Sequence, residues 1–148
     1  MTLRKAIEIF DSERSNSVDI GKKIRWVSQL DYKISSEIAE PRGDEPFKGY
    51  DISTPLETIL KAPEEFGEIY GLYLNMKLDY MNGEIARFNN SALLFNNMYR
   101  DMSNFMNRKK AVLKIFLKIQ TEFIRQRKLF IGENVKNRRV HFFFLFLR

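Results

Sequence analysis

Residues 79–108, DYMNGEIARFNNSALLFNNMYRDMSNFMNR, decide the fold. In their second half, large apolar side chains recur at spacings of three and four, which places them on one side of a helix: Phe95, Met98, Tyr99, Met102, Phe105 and Met106. We predict a helix over 91–108 that begins at Ser91, after a turn at Asn89 and Asn90. We interpret its apolar stripe as core rather than as a groove for a partner.

The same stretch contains an unusual cluster of asparagines, at Asn89, Asn90, Asn96 and Asn97. Asparagine is a mediocre helix former, so a cluster in a helical segment calls for a reason. Contacts with another subunit or a locked turn would provide one, and simple surface placement is the alternative. With Tyr50, these four residues are our candidates for a subunit interface.

Three further helices are expected on the amino-terminal side. Thr2 can cap a short helix that runs to about Phe10. A longer helix over 18–40, capped by Ser17 or Asp19, carries a stripe that we assign to the core: Ile20, Ile24, Val27, Leu30, Ile34 and Ile38. Residues 63–65, PEE, suit the first turn of a third helix that continues to about Phe88, with a kink near Gly83.

Between these helices, residues 41–62 hold three of the four prolines and two glycines, and they predict a long loop. A short extended piece is expected at 47–52. A loop of this length is either functional, often through oligomer contacts, or simply solvated. The predicted fold class is all-α, a small helical bundle (1–108) with a long 41–62 loop and an extended C-terminal arm within 109–148.

The carboxyl-terminal part differs in charge from the rest. Residues 108–148 hold 12 Lys and Arg against two Glu, a net +10, whereas residues 1–107 carry 13 basic and 17 acidic side chains, a net −4. A helix is expected from about Lys109, with Val112, Phe116, Ile119 and Phe123 on one face, and with a break at 132–134, GEN. A basic terminal segment usually meets nucleic acid or an acidic protein surface.

The chain closes with RRVHFFFLFLR, an apolar run bounded by arginines. Such a β-prone run is an aggregation hazard unless something covers it. It either folds back onto its own bundle or adds as a strand to a neighbouring chain, and we favour the neighbour. The candidate partner-binding residues are Arg138, Arg139, Val140, His141, Phe142, Phe143, Phe144, Phe146 and Arg148.

No residue pattern in the chain predicts catalysis. There is no cysteine and a single histidine, His141, so neither a zinc site nor a Ser-His or Cys-His pair is expected. The paired acids at 44–45 and 64–65 are interpreted as solvated charge, and no glycine-rich phosphate loop occurs. We expect no enzyme, no cofactor and no metal. The sequence also has neither a signal-peptide pattern nor an apolar run long enough for a membrane span.

Residues 82–95, NGEIARFNNSALLF, resemble the central signature of the helical head–tail connector proteins of tailed bacteriophages, also called adaptor or neck proteins. Weaker similarities precede it in the same order: IRWVSQLDYKISSEI at 24–38, GYD at 49–51, and PEE at 63–65 before a tyrosine-rich helix. The similarity covers about 1–108. It is to connectors of phages that infect low-GC Gram-positive bacteria.

The resemblance implies a non-enzymatic ring subunit, typically in twelve copies, assembled in the host cytoplasm and placed in the virion neck. The ring would bind the portal protein through the C-terminal arm, offer a platform to a downstream neck or tail protein, and let DNA pass without sequence-specific contacts. A small helical nucleic-acid-binding protein that uses the basic arm is the alternative. A helical enzyme is a third interpretation, without a candidate catalytic group.

Overall fold

The computed structural model describes the backbone of residues 1–145 and the side chains of residues 1–127 except Arg42 and Lys110. Over this range the chain forms four α-helices, α1 (Leu3–Glu13), α2 (Ile20–Ile34), α3 (Ile69–Met81) and α4 (Ile85–Leu145), and no strand. The predicted all-α class is confirmed.

The chain divides into two compact units, Met1–Asn107 and Arg108–Arg148. The division lies next to the boundary predicted after residue 108. That the two parts act as distinct domains stays a prediction.

The starts of α1 and α2 follow from their capping side chains. Thr2 Oγ1 accepts a hydrogen bond from Lys5 N at 3.3 Å, and Asp19 Oδ2 accepts one from Lys22 N at 3.3 Å. Each bond satisfies a backbone donor that the first helical turn leaves free. Of the two caps proposed for α2, the structure therefore selects Asp19.

The helix predicted over 18–40 changes character before its end. Regular α-helix stops at Ile34, a π-helical turn covers Ser35–Ala39, and a 3₁₀ turn covers Glu40–Arg42. Gly43 then adopts φ 95°, a left-handed conformation that favours glycine. The stripe assigned to the core is buried from Ile24 to Ile38, whereas Ile20 at its start is exposed.

The third helix is shorter than predicted, and the fourth begins earlier. Glu64–Phe66 forms a 3₁₀ turn and α3 ends at Met81. The chain reverses at Gly83, where φ is 69°, and α4 continues through Asn89 and Asn90. The turn expected at those asparagines was wrong. The reversal instead uses the glycine, which adopts positive φ without a steric cost.

Residues 43–62 form the predicted long loop, but no strand occurs at 47–52. Its end runs beside the chain's amino terminus instead, with an isolated bridge between Thr2 and Ile59. Leu3 N donates to Thr58 O at 3.0 Å, Arg4 N to Leu56 O at 2.8 Å, and Leu60 N to Met1 O at 3.1 Å. These bonds fasten the loop to the start of α1.

Buried side chains from the first three helices form one core, to which α4 adds Phe95 and Met102. The ring of Tyr73 on α3 lies 5.2 Å from that of Phe95, and the ring of Tyr80 lies 5.7 Å from that of Phe88. The interpretation of the α4 stripe as core is confirmed for its buried and partly buried members. The face of α4 that points away from this core is exposed.

Candidate functional site

Asp31 is a buried carboxylate in the last turn of α2, with no exposed surface. It accepts hydrogen bonds from the hydroxyls of Tyr70 at 2.5 Å and Tyr50 at 2.7 Å, and from the backbone N–H of Lys61 at 3.1 Å. The Tyr70 hydroxyl in turn accepts a bond from Ala62 N at 2.9 Å. One carboxylate therefore holds both ends of the 50–62 segment against α2 and α3.

The low polarity around Asp31 affects the acidity of the whole cluster. Burial raises the pKa of the Asp31 carboxyl above its ordinary value, although its three hydrogen bonds act in the opposite direction. Burial and the neighbouring Asp31 also raise the pKa of the Tyr70 and Tyr50 hydroxyls, which keeps both as donors. The arrangement is that of a structural fastening, since every polar atom in it has a partner within the protomer.

Tyr50, one of the five interface candidates, belongs to this cluster. Its backbone N–H donates to Ser28 Oγ at 2.8 Å while its hydroxyl donates to Asp31, and the side chain is partly buried. Both polar groups are thus used inside the protomer. A role for Tyr50 at a subunit interface stays a prediction, and it would have to use the exposed part of the ring.

A second buried carboxylate, Asp79, fixes the reversal between α3 and α4. Arg14 Nη1 donates to Asp79 Oδ1 at 2.6 Å, and Ser91 Oγ donates to Asp79 Oδ2 at 2.6 Å. Arg14 lies just beyond α1, so one ion pair and one hydroxyl connect three helices. These bonds hold the start of α4 against α1 and α3.

The four predicted asparagines all lie on the exposed face of α4. Because residues three, four and seven apart share a helical face, Asn89, Leu93 and Asn96 form one row, and Asn90, Leu94 and Asn97 the adjacent row. Leu93 is 58% exposed and Leu94 49%. The structure therefore brings the asparagines together around two exposed leucines that were not among the predicted interface residues. We call this surface the Asn–Leu face.

Elsewhere on the first unit, a groove of about 380 Å³ runs between α1 and α3. Ala6, Ile9 and Leu72 supply apolar walls, while Lys5, Glu13 and Glu68 supply charge. Gly67 and Gly71 lie along it and leave it open because they have no side chains. No role was predicted for either glycine from the sequence, where the four-residue spacing is the one available signal.

In the second unit, the described side chains of residues 109–127 are all exposed. Eight of them are large and apolar, each more than half exposed: Val112, Leu113, Ile115, Phe116, Leu117, Ile119, Phe123 and Ile124. The predicted stripe of Val112, Phe116, Ile119 and Phe123 follows helical spacing within this set. Basic side chains, including Lys114 and Lys118, occupy the remaining directions.

The candidate partner-binding residues 138–144 have a helical backbone, since α4 continues to Leu145. The helix break predicted at 132–134 is therefore not observed. Addition of 140–145 to a neighbour as a strand would first require that this helix unfold. The side chains of Arg138, Arg139, Val140, His141, Phe142, Phe143 and Phe144 lie outside the described residues, as do Phe146 and Arg148 entirely.

Within the described part of the chain, no cluster of three His, Cys, Asp or Glu side chains is placed to hold a metal ion. No helix there is long and apolar enough to cross a membrane. No protein-family model, curated protein or solved structure matches the chain.

Proposed function

We propose that this chain is a structural head–tail connector subunit of a tailed phage, which forms a ring below the portal, extends the DNA channel and joins head to tail. The observation that carries the proposal is the exposed apolar surface of residues 109–127. The resemblance of residues 82–95 to the connector signature gives that surface a biological setting.

The exposed apolar surface favours a protein that works by assembly. Soluble monomers rarely expose large contiguous apolar patches, and such patches commonly mark interaction sites. Here the 13 positions from 112 to 124 include eight large apolar side chains, and each of the eight is more than half exposed. A partner that covers them gains the free energy of their removal from water, about 1.5–3 kcal/mol for each fully buried side chain.

The charge of the same segment indicates the kind of partner. Lys109, Lys114, Lys118, Arg125 and Arg127 are exposed around the apolar positions, against the single acid Glu122. A surface that covers this helix without like-charge repulsion carries an apolar strip bordered by acids. In the proposal this partner is the portal protein, and residues 109–148 are the arm that binds it.

The first unit supplies the ring. A ring with cyclic symmetry needs two different faces on each subunit that fit each other. The Asn–Leu face offers one surface of this kind, apolar at its centre and able to donate and accept hydrogen bonds at its edge. The net −4 charge of residues 1–107 suits a channel lining that lets DNA slide, because a strongly basic lining would hold the phosphates.

Electron microscopy of the full chain, alone and mixed with portal, tests the proposal. Wild-type protein should give rings that stack on the portal, with the downstream neck or tail protein binding the other side. The full-chain double variant Phe116→Ser/Phe123→Ser should no longer bind the portal, although the first unit should still fold. Ile52→Ser removes an apolar side chain of similar exposure (72%) from the 41–62 loop and is the matched control. A protein that stays monomeric with and without portal would contradict the proposal.

The exposed basic side chains of 109–127 favour one other function, nucleic-acid binding by a monomer. A gel shift on single- and double-stranded DNA distinguishes the two functions. Binding through phosphate contacts weakens steeply with salt, with a logarithmic slope of about 0.7 to 0.9 per phosphate neutralised. Tight, salt-dependent binding by a monomer that does not bind portal would favour this alternative.

A further inference from the structure

The α1/α3 groove has the shape to accept side chains from outside the protomer. A Cβ added at Gly71 would find a single heavy atom within 4 Å, Glu13 Oε2 at 4.0 Å. At Gly67 the nearest atom would be the flexible end of Met1. The space beside Gly71 is therefore open to a side chain, and the walls of Ala6, Ile9 and Leu72 favour an apolar one.

The groove and the Asn–Leu face lie on different sides of the first unit. Tyr73 and Tyr80 mark the side of α3 that packs against α4, through Phe95 and Phe88. Gly71 precedes Tyr73 by two positions, which is a rotation of about 200° on a helix. The groove thus opens on the side of α3 away from α4, while the leucines point away from α3. A protomer can therefore use both surfaces at once.

The two surfaces are complementary in chemistry. The groove combines apolar walls with Lys5, Glu13 and Glu68, a net charge of −1. Residues 85–107 carry Arg87, Arg100 and Asp101, a net +1. Arg87 lies 3.1 Å from Glu84 and Arg100 lies 3.9 Å from Asp101, so Arg100, 69% exposed and more loosely paired, is the cation free to reach a neighbour. The asparagine amides beside the leucines can bond to either sign of charge at the groove's edge.

We propose that Leu93 and Leu94 of one copy insert into the α1/α3 groove of the next copy. The contact places Arg100 beside Glu13 and Glu68 of the neighbour, with the four asparagines bonded around the leucines. It rests on the proposed ring and names its interface. Because groove and leucines belong to different faces, the contact is heterologous, and its repetition closes a ring when the rotation between copies is right.

The absence of cysteine from the sequence allows a direct test. In the full chain, Gly71→Cys together with Leu93→Cys should form a ladder of disulfide-linked or bismaleimide-linked species beyond the dimer. Each single-cysteine variant should stay uncrosslinked. In a heterologous contact, residue 71 of one copy meets residue 93 of the next, so two identical positions never face each other. Dimers formed by Leu93→Cys alone would show an isologous α4–α4 contact and overturn the proposal.

A second variant separates the contact from folding. Gly71→Leu fills the groove but meets little of its own protomer, so its thermal unfolding should match or exceed that of wild type. Its association, followed by sedimentation velocity, should weaken at least a hundredfold, and Gly71→Ala should weaken it less. Unchanged association of a folded Gly71→Leu protein would overturn the proposal.

The outcomes also distinguish this interface from the proposed function. If electron microscopy shows rings but the double-cysteine variant gives no ladder, the groove is not the ring interface, while the proposed connector function stands. A wild-type chain that forms no assembly, alone or on portal, rejects both. A ladder together with loss of rings in Gly71→Leu supports both.

Discussion

The first unit buries its large apolar side chains, whereas the described part of the second unit exposes them. In residues 1–107, apolar side chains from four helices share one core, and the buried carboxylates Asp31 and Asp79 have three donors and two donors, respectively. In residues 109–127, every described side chain is exposed, whether apolar or charged. The first unit is therefore stabilised by contacts within itself. The apolar side chains of residues 109–127 contribute to stability only when a partner covers them.

The contrast is sharpest at Asp31. We expect Asp31→Ala to lower the free energy of unfolding by about 4 kcal/mol, because three donors lose their acceptor and each unsatisfied buried group costs about 1–3 kcal/mol. Urea denaturation followed by circular dichroism measures the change. Asp44→Ala, at an exposed loop position, is the control and should change stability by less than about 0.5 kcal/mol. A loss below about 1 kcal/mol would contradict the role of Asp31 as a fastening.

A pair of leucines compares the units directly. Leu30 is fully buried, so Leu30→Ala should cost about 3 kcal/mol for lost burial and the cavity left behind. Leu117 is 56% exposed, and Leu117→Ala should leave the urea midpoint of the free protein nearly unchanged. Equal losses for the two substitutions would mean that residues 109–127 are covered in the free chain.

A pair of glycines tests the backbone in the same way. Gly83 has φ 69°, so Gly83→Ala should destabilise the first unit by about 1 kcal/mol, although nothing crowds its Cβ. Gly132 lies in helical backbone, so Gly132→Ala should raise the helix signal in circular dichroism without altering the main unfolding transition. A loss of helix signal at Gly132→Ala would argue for the break predicted from the sequence.

The smallest expected effect is on pH dependence. Burial raises the pKa of the Asp31 carboxyl in the folded protein. The folded protein therefore binds a proton at Asp31 more tightly than the unfolded chain does, in which aspartates titrate at about pH 3.9. The stability from Asp31 should therefore rise as the pH falls through the raised pKa, and level off below about 3.9. Compared with Asp31→Asn, wild type should gain in free energy of unfolding from pH 7 to about 4. A difference that shrinks over this range would contradict the direction of the shift.

Local features of the fold were predictable where one residue type has one dominant use. Thr2 is the predicted N-cap of α1, Asp19 is one of the two caps predicted for α2, and the stripe from Ile24 to Ile38 is core. The choice between Gly83 and Asn89-Asn90 as the turn was less determined, since both suit turns. The pairing of Asp79 with Arg14 and Ser91 helps to fix the reversal, and Arg14 lies 65 residues from Asp79 in the sequence.

The candidate surfaces were predictable only in part. The asparagine cluster is visible in the sequence, but its grouping around Leu93 and Leu94 depends on where α4 starts. The Asp31 cluster was missed, because partners 19, 30 and 39 residues away leave no local pattern. An aspartate between Leu30 and Ile34, inside an apolar stripe, was the one available signal. The groove was missed because its two walls come from helices that are distant in sequence.

The bonds between the amino terminus and the end of the 41–62 loop have a consequence for biosynthesis. Met1, Leu3 and Arg4 bond to Leu60, Thr58 and Leu56, so α1 emerges from the ribosome before the backbone it pairs with. During that interval the nascent α1 exposes Leu3, Ile7 and Phe10. Closure over so long a separation slows folding, so the first helix of the chain should be among the last to become protected from hydrogen exchange.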